Sequence, residues 1–179
     1  MEEKKSLRVY EKDTLQYHLY RDMHINQTLE NVKSLKEKYK ECEKVKMTIS
    51  KALSMLDDFV DPSDPDLDVA NSIHAYQTAE RIRKKYPNDK EFQIIGLIHD
   101  IGKVLFSFGE PSWAVVGDTY VLGCEFPKSI VYYDTLKESP EWGKYDKFGI
   151  YKPKCGLDNL TLSYGHDEYL YNVLKKNKN

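Results

Sequence analysis

The chain has 179 residues, of which 40% are hydrophobic and 31% are charged. This balance is typical of a soluble globular protein, and the length is sufficient for one domain with a buried core. The net charge of -2 argues against a surface built for nucleic acid. The apolar runs are too short to cross a bilayer, and Cys42, Cys124 and Cys155 have no CxxC spacing. We therefore expect a cytoplasmic protein with reduced thiols and with neither nucleic acid nor a membrane as a partner.

The first predicted helices are amphipathic. In Asn26–Cys42, apolar residues recur at helical spacing between lysines and glutamates. Thr48 is a suitable N-cap for a second helix that extends to Val60. The proline-containing segment Asp61–Asp66 ends this helix, because proline has no backbone N–H to donate.

Three further helices follow, and each contains a histidine. The first covers Val69–Tyr86, with Asp68 as its predicted N-cap. The second, Glu91–Phe106, is apolar on nearly every side, which is typical of a central buried helix. The last is Leu160–Lys176. Between the second and the third, Gly109–Lys154 has only short apolar runs and is predicted to be a long loop region with a short hairpin or helical turn. The predicted fold class is all-α.

The candidate chemistry lies on three of the five histidines. His74, His99 and His166 fall within the three helices, and Asp100 follows His99 in the most hydrophobic one. A carboxylate in an apolar interior is unfavourable unless it is paired, hydrogen-bonded or bound to a metal. Imidazole and carboxylate ligands suit iron, manganese or zinc. A buried histidine is more often structural than a ligand, so these residues alone leave both interpretations open. The remaining histidines are interpreted as non-ligands in a polar N-terminal region: His18 and His24.

Longer segments resemble known families. The order His74, His99, Asp100 resembles the HD-domain superfamily, whose members are helical, metal-dependent and mostly phosphohydrolases. Asp64–Glu80 and Gly96–Val104 are more specific, and they resemble the metal-binding helices of the myo-inositol oxygenase family. Three further segments resemble the same family: Phe108–Thr119, Tyr151–Asp158 and Ser163–Tyr169. The resemblance extends over residues 6–179.

The resemblance implies a fold and a reaction. The fold is an HD-domain-like helical bundle, a single inositol oxygenase catalytic domain over residues 1–179, with a long loop region between the second and third metal-binding helices. The reaction is the cleavage of the ring of myo-inositol by O₂ to give D-glucuronate, a step of inositol catabolism. We also expect the protein to be a monomer.

The resemblance further implies a pair of iron ions as cofactors. Their implied ligands are His74, His99 and Asp100, with Asp100 bridging both ions and His166 binding the second. Asp100 and Lys103 are the catalytic residues that the resemblance implies.

Several residues are assigned to the substrate by the same resemblance. Lys103 matches a lysine that contacts the hydroxyl groups, and Asp61, Ser63 and Asp118 match residues that line the inositol pocket. Arg8 matches an arginine that closes over the substrate. Without the resemblance, Lys103 would be interpreted as a solvated charge at a helix end and Asp118 as a turn residue.

The family has two further ligands, one histidine and one aspartate, beyond the position of Asn179. We therefore expect a chain that is incomplete relative to the family, through truncation or as a degenerate paralogue. Made alone, it should bind iron weakly and show little oxygenase activity. Two other functions stay open: an HD-type phosphohydrolase, which Gly109–Asp118 and Gly165–Tyr169 disfavour, and a non-enzymatic paralogue.

Overall fold

The structure, a computed structural model, describes residues 11–61, 63 and 70–177. These residues form six α-helices: α1 (Leu15–Asn26), α2 (Leu29–Lys38), α3 (Ile49–Met55), α4 (Asn71–Lys85), α5 (Lys90–Ile98) and α6 (His166–Lys176). They also form five 3₁₀ helices: Leu56–Asp58, Ile101–Phe108, Ser112–Ala114, Tyr133–Glu138 and Leu157–Asn159. Extended pairing in the described part is limited to one antiparallel bridge, between Val121 and Leu162. The prediction of an all-α fold is confirmed.

Threonine side chains cap the first three helices. Thr14, Thr28 and Thr48 each accept a hydrogen bond at Oγ1 from the backbone amide three residues later, at 3.1, 3.2 and 3.1 Å. Each bond satisfies an amide that has no partner within its helix. The cap predicted at Thr48 is confirmed, whereas the predicted helix Asn26–Cys42 begins later, because Thr28 caps α2.

The core is formed by the N-terminal helices and the segments that follow α5. Fully buried residues come from α2, from the 3₁₀ helices and from the loop region: Val32, Leu56, Leu105, Val115, Leu122 and Leu136. α1, expected to belong to a polar region, buries Leu19, Met23 and His24. The description of His24 as part of a polar region is therefore wrong, since its side chain has no exposed surface.

The predicted helix Glu91–Phe106 is divided in two. α5 ends before His99, and the chain continues beyond Asp100 as the 3₁₀ helix Ile101–Phe108. The backbone oxygen of Asp100 accepts a hydrogen bond from the amide of Lys103 at 2.9 Å, the three-residue spacing of a 3₁₀ turn. The pair His99–Asp100 thus lies at a junction between two helix types rather than in the middle of one helix.

The apolar surface of α5 is less buried than predicted. Ile94 and Ile95 are 53% and 56% exposed, and on the neighbouring α4 Ile73 and Tyr76 are 48% and 55% exposed. In the described part of the chain α5 packs mainly against α4. The prediction of a central buried helix is wrong for α5.

α4 and α6 both begin later than predicted. Ala70 occupies the N-cap position of α4 and provides no side-chain hydrogen bond. The predicted N-cap, Asp68, lies outside the described residues. α6 begins at His166 instead of Leu160, which places this histidine at the start of a helix rather than inside it. No helix in the described ranges has both the length and the apolar character needed to cross a membrane.

Candidate metal centre

Asp100 lies at the centre of a cluster of imidazole rings and is 4% exposed. Its Oδ2 atom lies 3.5 Å from Nε2 of His99 and 3.9 Å from Nε2 of His74. Its Oδ1 atom lies 3.3 Å from Nε2 of His166. Ligand atoms of His74, His99 and Asp100 all lie within 4.8 Å of one another. The two carboxylate oxygens of Asp100 therefore face different histidines.

Three elements bring these side chains together. α4 and α5 pack side by side, which places the ring centroids of His74 and His99 5.3 Å apart. The 3₁₀ helix that follows Asp100 packs against the start of α6 at Gly102. A Cβ atom on Gly102 would lie 1.9 Å from the backbone oxygen of His166. Only glycine permits this approach, which holds His166 beside Asp100.

Hydrogen bonds orient two of the histidine rings. Nδ1 of His99 is 2.8 Å from the oxygen of Gly96, and Nδ1 of His166 is 2.8 Å from the oxygen of Val115. A carbonyl oxygen only accepts, so Nδ1 donates in both cases and Nε2 is directed at Asp100. Metal-binding histidines are commonly held by such bonds to carbonyl groups. The donor set fits iron, manganese or zinc.

Lys103 is a buried cation in the same cluster. Its Nζ atom lies 2.9 Å from Oδ2 of Asp100 and 2.8 Å from Oδ2 of Asp61. Oδ1 of Asp61 accepts hydrogen bonds from the backbone amide of Ser63 at 2.8 Å and from its Oγ at 2.6 Å. Lys103 is only 4% exposed, so its interpretation as a solvated charge is wrong.

The charges in the cluster stabilise one another. Burial acts to raise the pKa of Asp100, but the hydrogen bond from His166 and the charge of Lys103 hold this pKa well below its usual range. Burial acts to lower the pKa of Lys103, and the charges of Asp100 and Asp61 outweigh it, so this pKa is raised. The carboxylate of Asp100 is therefore ionised, which is the form that binds cations.

The remaining sequence-predicted residues are less closely connected to the cluster. Asp118 lines a cavity of about 100 Å³ together with Gly117, Gly165 and His166. It thus shares a cavity wall with one of the candidate ligands. Arg8 lies outside the described residues.

Two polar residues that the sequence did not single out hold the loops around the centre. Oγ of Ser163 donates to the backbone oxygen of Asp118 and accepts from the amide of Tyr120, both at 3.1 Å. Gln27 is fully buried and hydrogen-bonds to the backbone of Tyr164. No local sequence pattern indicates these two roles, because the hydrogen-bonded residues are far apart in the chain. Ser163 and Tyr120 are separated by 43 positions, and Gln27 and Tyr164 by 137.

The fold and the cluster define the class of this protein: an all-α protein with a histidine–aspartate centre of the HD type. The family model described as myo-inositol oxygenase matches residues 13–179. The chain belongs to the myo-inositol oxygenase family, which confirms the resemblance found in the sequence.

Individual relatives agree with the family match. The chain is 48% identical to the inositol oxygenase of Danio rerio over 166 residues, which are 90% of this chain and 60% of the relative. It is 48% identical to the inositol oxygenase of Homo sapiens over 163 residues, 89% of this chain and 57% of the relative. For inositol oxygenase 1 of Arabidopsis thaliana the identity is 47% over 165 residues, 89% and 53% of the two chains. The chain thus spans between 53% and 60% of the length of these relatives.

Proposed function

We propose that this protein is a di-iron oxygenase that cleaves the ring of myo-inositol with O₂ to give D-glucuronate. The observation that carries the proposal is Asp100, whose two oxygens face different histidines beside the buried cation Lys103. Family membership supports the reaction, because the relatives named above are inositol oxygenases.

In this proposal His74, His99 and Asp100 would hold one iron, and Asp100 and His166 would hold the other. The placement of Oδ2 near His74 and His99 and of Oδ1 near His166 supports a role for Asp100 in holding both. When bound, the irons supply the redox chemistry with O₂ that amino-acid side chains lack. The described residues offer four candidate ligand side chains for the two ions: His74, His99, Asp100 and His166.

The other residues of the cluster act on the substrate. The ammonium group of Lys103, oriented by Asp61 and Ser63, would donate hydrogen bonds to hydroxyl groups and stabilise negative charge that develops on their oxygens. Asp118 would accept hydrogen bonds from neighbouring hydroxyls, and Arg8 would close over the substrate. A polyol needs such converging groups because unpaired polar atoms in a closed pocket are unfavourable.

The test of the proposed centre uses Fe²⁺ and Co²⁺ binding, measured by calorimetry on the 179-residue chain. We expect His99→Ala to remove the binding, and His18→Gln, which changes an exposed histidine of α1, to leave it unchanged. Equal binding by the parent and by His99→Ala would contradict the proposed centre.

The proposed reaction is tested by formation of glucuronate from myo-inositol under O₂. We expect any turnover by the parent to be lost in His99→Ala and Lys103→Met. Turnover that survives both substitutions would show that the product is not made at this centre. Phosphate release from nucleotides, measured on the same samples, would favour the phosphohydrolase alternative.

We also propose that the protein is a cytoplasmic monomer that acts on a small molecule, without a nucleic-acid or membrane partner. Support for a reducing compartment comes from the thiols of Cys42, Cys124 and Cys155, which are all free. Light scattering measures the oligomeric state directly.

A further inference from the structure

Gln27 connects the two chain segments that contain Asp118 and His166. It follows the last residue of α1, and its side chain has no exposed surface. Nε2 of Gln27 donates to the backbone oxygens of Trp113 and Tyr164, both at 2.8 Å. Oε1 of Gln27 accepts from the backbone amide of Tyr164 at 2.9 Å. One side chain therefore joins three backbone groups from two segments that are distant in sequence.

Both segments determine where the imidazole of His166 lies. Tyr164 stands two residues before His166, and Trp113 stands two residues before Val115. The oxygen of Val115 accepts hydrogen bonds from the backbone amide of His166 at 2.9 Å and from its Nδ1 at 2.8 Å. A displacement of either segment would thus change the direction in which Nε2 of His166 points relative to Asp100.

We propose that Gln27 is a positioning residue that sets the orientation of the His166 imidazole toward Asp100. This role rests on the proposed function in one respect, since it takes His166 to be a metal ligand. A primary amide suits this role because it combines donors and an acceptor in one uncharged planar group. A carboxylate at the same place would direct an oxygen at two carbonyl oxygens, and a thioether would supply no donor.

A purely structural role for Gln27 makes a different prediction. The loss of its hydrogen bonds would then lower the stability of the fold and leave the orientation of His166 as it is. His74 and His99 serve as internal references, because α4 and the end of α5 are not among the groups to which Gln27 hydrogen-bonds.

The first test is NMR spectroscopy of the metal-free chain. In Gln27→Met, which preserves the length of the side chain, we expect shifted or broadened ring resonances for His166 and unchanged ones for His74 and His99. Hydrogen exchange at the amide of Tyr164 should accelerate by about tenfold, the effect of losing one hydrogen bond. The matched control is Leu136→Ala, which destabilises the fold by creating a cavity at a fully buried position.

The second test is titration with Co²⁺ at a temperature at which every variant is folded. We expect Gln27→Met to lower the affinity by about 10-fold, as when an outer hydrogen bond of a metal ligand is removed, and Leu136→Ala to preserve it. If Gln27→Met does not fold, Gln27→Asn takes its place, because it keeps an uncharged amide and shortens its reach by one methylene group.

These tests separate the positioning role from the metal centre itself. The positioning role would be overturned if the His166 ring resonances of Gln27→Met were the same as those of the parent chain. It would also be overturned if Leu136→Ala changed these resonances as much as Gln27→Met does. If the parent binds no Co²⁺, the proposed metal centre fails, while the NMR comparison still decides the role of Gln27.

Discussion

Lys103 is the residue of the cluster whose replacement we expect to destabilise the fold most. In Lys103→Met, the carboxylates of Asp61 and Asp100 would stay buried without the cation that lies 2.8 and 2.9 Å from them. Breaking a buried ion pair in this way costs about 3–5 kcal/mol. Urea unfolding of the metal-free chain should show a decrease of this size in the free energy of unfolding.

An exposed lysine provides the control for this prediction. The side chains of Lys137 and its partner Asp134 are 60% and 77% exposed, so Lys137→Met should change the free energy of unfolding by less than about 1 kcal/mol. The double variant Lys103→Met, Asp61→Asn should regain part of the lost stability, because it removes one of the uncompensated charges. Similar losses in the two single lysine variants would contradict the assignment of Lys103 as a buried cation.

His24 should make the stability of the chain depend on pH. Its side chain is fully buried, and burial lowers its pKa from 6.5 to about 4. As the pH falls from 6.5 to about 4, the unfolded chain takes up a proton that the folded chain does not. The contribution of His24 to the free energy of unfolding is therefore complete above pH 6.5. It decreases by about 3 kcal/mol as the pH falls to about 4.

The pH prediction is measured by urea unfolding between pH 7 and pH 4. His24→Phe should lose the part of the pH dependence that comes from this group, whereas His18→Gln, in the same helix but exposed, should retain it. An unchanged pH dependence in His24→Phe would show that the buried imidazole is not its source.

The sequence identified functional candidates with ionisable side chains more readily than residues that act through distant contacts. His74, His99, His166 and Asp100 stood out because ionisable groups in apolar helices require a partner, and the structure does place them together. Gln27 gave no such signal, because its hydrogen-bond partners lie in other parts of the chain. Nothing in the sequence distinguishes this buried glutamine from an exposed one.

At the scale of the element, the contact between the 3₁₀ helix Ile101–Phe108 and α6 depends on Gly102. In Gly102→Ala the new Cβ would meet backbone atoms of His166 at 1.9, 2.7 and 3.0 Å, and backbone cannot rotate away as a side chain can. The two elements must separate, which we expect to lower the free energy of unfolding by about 3 kcal/mol. The affinity for Co²⁺ should fall as well, because His166 moves away from Asp100.

Gly96→Ala is the matched control for this substitution. Its Cβ would lie 2.5 Å from Cδ1 of Ile82, the flexible end of a side chain, and the change favours the helical conformation of α5. We expect its free energy of unfolding to lie within about 1 kcal/mol of the parent value. Equal losses of stability and of Co²⁺ affinity in the two alanine variants would show that the contact at Gly102 has no special importance.

The elements were predicted well where local chemistry determines them. Thr48 caps α3 as expected, because a threonine before an apolar run satisfies a free amide in any context. The break between α5 and the following 3₁₀ helix was not predicted, because the apolar pattern continues through His99 and Asp100. Its position depends on contacts with α4 and α6 that a local pattern does not contain.

At the scale of the whole molecule, the class of fold followed from the helical periodicity of the predicted elements. The burial of α5 did not follow, because an apolar helix is covered only if another part of the protein packs on each of its sides. Among the described residues, α4 covers one side of α5, and the relatives extend well beyond the matched region.

The uncovered face of α5 should bind hydrophobic molecules in the folded chain. Ile94 and Ile95 are adjacent in the sequence and are 53% and 56% exposed, and Tyr76 on the neighbouring α4 is 55% exposed. Exposed apolar surface of this kind attracts apolar ligands. A naphthalene sulfonate dye should therefore fluoresce with the parent and less with Ile95→Ser. Leu157→Ser, which removes an apolar residue that is 83% exposed and lies outside this face, should leave the dye signal unchanged. Both substitutions should alter the free energy of unfolding by no more than about 0.5 kcal/mol, so equal dye binding by all three chains would mean that the face of α5 is not the binding surface.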